Sequence, residues 1–123
     1  MIKESNYQRF LSALLEGNRS ECMAVVQELL NKEVDLKILY TDLFQSSLYK
    51  IGELWEQNKI SVAVEHLATA ITENLIATVY PSILSYHKPI GKKAVISCSA
   101  NEYHQVGARM VTDIMEIYGW QTW

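Results

Sequence analysis

The stretch Glu102-Tyr103-His104-Gln105-Val106-Gly107 lies between an apolar run, Ala94-Val95-Ile96-Ser97-Cys98, and an amphipathic run from Val106 to Tyr118. It reads as the turn joining a buried strand to a helix, with a histidine at its crest and a glycine in the first helical turn. In open α/β sheets, ligands bind at that carboxyl end of a strand. His104 is therefore the first candidate for chemistry, against the plain alternative of a solvent-facing loop histidine.

On the C-terminal side, Val106, Met110, Val111, Ile114, Met115 and Ile117 give the helix an apolar stripe, and Gly119 stands where it should stop. Trp120-Gln121-Thr122-Trp123 then reads as the start of a second strand. The strand 94–98 is apolar on both faces, as in a parallel strand covered by helices on each side. It needs neighbours, and the expectation is that the strand-helix-strand unit opens a doubly wound domain that is cut short at residue 123. Left unpaired, the strand should join another chain, swap or lose its order.

On the N-terminal side, His87-Lys88-Pro89-Ile90-Gly91-Lys92-Lys93 is a polar linker holding both a proline and a glycine, and His87 is read as part of it. Before the linker the period changes to helical. Tyr7, Phe10, Leu11, Leu14 and Leu15 form one stripe that Gly17 ends, and Cys22, Val25, Val26, Leu29 and Leu30 form the next, entered through Asn18 to Ser20. Asp35 caps a third helix with Phe44, Leu48, Ile51 and Trp55 on its core face. After a turn at Gln57-Asn58-Lys59, Ser61 caps a fourth with Val64, Leu67, Ala68, Ile71, Leu75 and Val79 inside, until Pro81 kinks or stops it. The fold class is mainly α: a four-helix bundle in a domain over 1–86, then 87–123 as linker and first strand-helix unit of a truncated Rossmann-like α/β domain.

The 123 residues carry 14 Asp and Glu against 11 Lys and Arg, and their basic residues form no cluster of the kind a phosphate backbone requires. Direct nucleic-acid binding by this chain is not expected. Cys22 and Cys98 fit neither a metal spacing nor a disulfide framework. With neither a signal peptide nor a run of about twenty apolar residues, no membrane association is expected and the localisation is read as cytoplasmic.

Trp55 ends the third helix and Glu65 begins the fourth, so both can face one end of the bundle; Glu65 falls about a quarter turn from the apolar centre and His66 nearly opposite it. Trp55, nine residues, Glu65-His66, and then Glu102-x-His104-x-x-Gly107 after a strand resembles the cobalamin-binding module, most closely light-sensing regulators of the CarH type and their stand-alone relatives. The resemblance implies a four-helix cap followed by a Rossmann-like domain, with cobalamin as cofactor, adenosylcobalamin favoured and methylcobalamin as the other form.

By that resemblance His104 is the cobalt ligand, replacing the cofactor's own benzimidazole; Glu102 accepts the hydrogen bond of its other ring nitrogen, and Gly107 leaves room for the nucleotide tail. Trp55 covers the upper face of the corrin, Glu65 bonds the adenosyl group, and His66 supports. Some of these photoreceptors place a histidine after the tryptophan; here it is Glu56, so a light-locked two-histidine state is not expected. The implied role is a non-enzymatic sensor or regulator of transcription with light as a candidate signal, acting through a homo-oligomer or a regulator partner protein. The alternative is the corrinoid carrier of a methyltransferase, and the plainest reading a helical interaction bundle with no cofactor.

Overall fold

The computed structural model describes residues 1–101 and 105–123. Helices α1 (Glu4–Leu15) and α2 (Arg19–Asn31) form a hairpin. The third helix begins at Leu36–Ile38, widens to a π turn over Leu39–Gln45 and resumes as Ser46–Glu56; the whole run 36–56 is α3. Then come α4 (Val62–Tyr86), β1 (Lys93–Ala94), α5 (Val106–Ile117) and β2 (Gln121–Thr122). The helical bundle and the small strand-helix unit expected from the sequence are both present. Two compact units divide the chain, Met1–Leu75 and Ile76–Trp123, and the division falls within α4.

The same device ends four helices. Gly17, Glu33, Asn58 and Gly119 all take positive φ, and in each case the next amide reaches five residues back: Asn18 to Ala13, Val34 to Leu29, Lys59 to Leu54, Trp120 to Met115. A left-handed residue at that place lets otherwise orphaned carbonyls find donors. The starts are capped by side chains as the sequence suggests: Asn18 accepts from the Glu21 amide, Asp35 from Lys37, and Ser61 from Val64.

Within the first unit Phe10, Leu14, Val25, Val26, Leu43, Phe44 and Ile51 are buried, and the Phe44 ring meets Phe10 at 5.9 Å and Tyr40 at 5.6 Å. Such tilted aromatic pairs add to the burial of their area. In the π turn the Ser46 amide and hydroxyl both donate to the Thr41 carbonyl, five residues back. The buried Cys22 thiol is pushed up to about 11, because burial penalises the thiolate.

Three expectations are corrected. Pro81 does not end α4, which continues to Tyr86. Ala77, whose carbonyl loses its donor to the proline ring, is exposed like Pro81 itself, so water can serve that carbonyl. The strand expected over 94–98 is ordered as strand only at Lys93–Ala94. It pairs in parallel with β2, and the ladder runs from Gln121 N–H to Lys92 O through Trp123 N–H to Ala94 O and Ile96 N–H to Trp123 O. Val95 stays 78% exposed, since among the described residues this two-stranded sheet has nothing to cover it.

The third correction concerns α5, where Asp113 and Glu116 are the buried residues while Val111 is exposed. Buried carboxylates persist only with partners. Arg109 Nε sits 3.2 Å from Asp113 Oδ1, and the Thr122 hydroxyl donates to Glu116 Oε1 at 2.7 Å. His87 belongs to this group as well: its Nδ1 donates to the Glu116 carbonyl at 2.9 Å.

Candidate functional site

The apolar centre of α4 is not where the hydrophobic residues alone place it. Thr69, Thr72, Ile76 and Ile83 are buried with Ala68, Ile71, Leu75 and Val79, whereas Leu67 is 40% exposed. On a helical wheel this turns the buried centre by about 60° and brings Glu65 to within about 35° of it instead of a quarter turn away. The threonines allow it, because the Thr72 hydroxyl donates to the Ala68 carbonyl at 2.9 Å and takes no unpaired polar group into the core.

Glu65 is consequently a sheltered carboxylate, its side chain only 18% exposed, while the His66 side chain is 60% exposed. The two side chains pair through Glu65 Oε2 and His66 Nδ1, and the Thr69 hydroxyl lies 3.4 Å from Glu65 Oε1. His66 and Thr69 therefore hold the carboxylate from either side. The exposed imidazole orients the carboxylate from the solvent side.

Trp55 stands at the other side of the same short connection, residues 57–61. Asn58 N–H donates to the Trp55 carbonyl at 2.9 Å and Lys59 N–H to the Leu54 carbonyl at 2.8 Å, so the backbone carrying the indole is fixed by the helix-ending turn. Trp55 does not close the core, as its place in the stripe suggested. It is 46% exposed. An open indole and a sheltered, oriented carboxylate thus stand on the two sides of one turn, an apolar surface and a hydrogen-bond acceptor.

Glu102 and His104 lie outside the described residues. Gly107 is exposed in the first turn of α5, and a Cβ built there would meet nothing within 4 Å. Among the described residues packing gives no reason for a glycine, which leaves the position open toward a ligand. Among the described residues no three His, Cys, Asp or Glu side chains gather as a metal site.

Sequence reasoning missed Tyr80, His87 and Glu116, which line a cleft of about 190 Å³ in the second unit. The available signal was Glu116 itself, a carboxylate set among Ile114, Met115 and Ile117. Burial, reinforced by the Glu116 carboxylate and then by Asp113, raises the Tyr80 phenol above its ordinary pKa, with Arg109 opposing. Among the described residues α4 is long and apolar enough to cross a membrane by length and composition, and 44% of its apolar window is buried within the protein.

The family model for the B12 binding domain matches residues 7–80, which runs from α1 into α4 and includes Trp55, Glu65 and His66. No curated protein matches the chain.

Proposed function

This chain belongs to the B12 binding domain family, so it is a cobalamin-binding protein, and we propose that it is a non-enzymatic sensor that responds to adenosylcobalamin. The observation that carries the proposal is the cap end: a half-exposed Trp55 and a sheltered Glu65, held by His66 and Thr69, within the matched segment. An indole supplies a broad apolar cover for the upper face, and a carboxylate supplies acceptors for the hydroxyls of an adenosyl group. His104 would hold the cobalt, Glu102 would support its imidazole by hydrogen bonding, and Gly107 would leave space for the tail.

When bound, the cofactor supplies a cobalt–carbon bond whose lability is its own. The protein's part is to bind, orient and shield. Trp55 excludes water from the upper face, and Glu65 selects a substituent that donates hydrogen bonds. A carrier that passes a methyl group needs a cover that moves aside; a bulky tryptophan and an oriented carboxylate on the two sides of one turn support the sensor. The setting is cytoplasmic, and the output passes through a second copy or a regulator protein, with light as one candidate signal.

The test is a titration with adenosyl- and methylcobalamin followed by visible spectrum, in the dark and after green light. The expected result is tighter binding of the adenosyl form, a preference lost in Glu65→Gln, and a spectrum altered by His104→Ala. Binding unchanged by His104→Ala sinks the axial role. Preference for the methyl form with transfer to an acceptor makes the protein a carrier.

A further inference from the structure

We propose that the cleft between the second half of α4 and the α5–β2 turn is a second binding site, for a small organic cation of the amidinium or primary ammonium class. Its walls are Tyr80, Leu84 and Trp120, its polar end Glu116, His87 and Thr122, and its volume about 190 Å³. That is several times the share of a single water, about 30 Å³, and large enough for a ring-sized ligand.

The chemistry of the polar end selects the ligand. Glu116 is 9% exposed; its Oε1 is taken by the Thr122 hydroxyl and the Tyr80 phenol also faces its carboxylate, so the donors that the cleft itself offers are neutral hydroxyls and none brings a positive charge. His87 bonds a backbone carbonyl through Nδ1, and a carbonyl only accepts, so Nδ1 carries the proton. In the neutral ring Nε2 is then an acceptor. Two acceptors, one of them charged, call for a ligand that brings N–H donors and positive charge.

The neighbouring cations do not meet this need. Arg109 is committed to Asp113 at 3.2 Å and stacks over Tyr80 at 5.3 Å, and the Lys92 ammonium lies 5.5 Å over the Trp120 ring. Their positions instead show that both aromatic walls accept cations on their faces. The metal alternative is poorer, since among the described residues the cleft offers one carboxylate and one imidazole.

The experiment uses the isotope-labelled full chain, titrated with benzamidine and, as a charge-reversed control, benzoate, while amide and indole resonances are followed. Benzamidine is expected to give saturable shifts centred on the Trp120 indole and the Gln121 and Thr122 amides, and benzoate none. Glu116→Gln should weaken binding by about tenfold or more, the usual cost of removing one member of a sheltered charge pair. Leu84→Trp, at an exposed wall position, should fill the cleft and abolish binding without touching the carboxylate. No saturable shifts, equal binding of benzoate, or full affinity in Glu116→Gln overturns the proposal. Should Glu116→Gln fail to fold, Leu84→Trp decides, and retained binding in that variant overturns it.

Discussion

Three glycines divide by what surrounds them. At Gly119, φ is +94° and an added Cβ would lie 2.2 Å from the Lys88 carbonyl oxygen, which is backbone and cannot step aside. Gly119→Ala should therefore cost at least about 2–3 kcal/mol. Gly17→Ala, at φ +68° and 2.8 Å from the mobile end of Leu67, should cost less, about 1–2 kcal/mol. Gly107→Ala should leave stability unchanged or raise it by up to about 1 kcal/mol, as alanine favours a helix, yet weaken cobalamin binding if the tail passes there. Urea denaturation and a cobalamin titration of the same three variants check the order.

Trp55, Glu65 and Gly107 stand out in the sequence as candidates, because side-chain type and spacing are all that such a reading needs. Glu65's sheltering was not legible. It follows from Thr69 and Thr72 being buried, and a threonine reads as surface until its hydroxyl is seen bonded to its own helix. Asp113 and Glu116 were missed for a related reason: their partners, Arg109 one turn before and Thr122 after the next turn, are revealed only by folding.

At the scale of elements, the helices were read closely because caps and periodicity are local. Ser61 shows how cap and site are linked: its hydroxyl accepts from Val64 N–H and its carbonyl from Glu65 N–H, so one residue fixes the first turn of α4. Ser61→Ala should cost about 1 kcal/mol of stability. It should also weaken adenosylcobalamin binding more than methylcobalamin binding, because the frayed turn is the one that carries Glu65. Equal losses for both forms would show that Glu65 does not read the upper substituent. The π turn over Leu39–Gln45 and the passage of α4 through Pro81 were not legible, since each depends on where backbone carbonyls find donors rather than on residue type.

Taken as a whole molecule, the chain has one bundle whose elements make their own backbone hydrogen bonds and one strand-helix unit whose strands make theirs only with each other. Hydrophobic pattern predicts the first kind well and the second poorly. A strand exists by virtue of its partner, so the apolar run 94–98 announced a strand five residues long while β2 supplies a partner for only its first part.

That two-stranded ladder has a kinetic signature in deuterium oxide. Side by side, alternate amides of each strand point inward and outward. The amides of Ile96, Gln121 and Trp123 are held in the ladder and should exchange slowly, while those of Val95 and Thr122 point away and should exchange at close to the rate of an open chain. Such a period-two pattern is a clock for assembly. Whatever strand completes the sheet, from this chain or another, will slow Val95 or Thr122 and leave their neighbours nearly unchanged, and which of the two slows will tell on which edge it has docked.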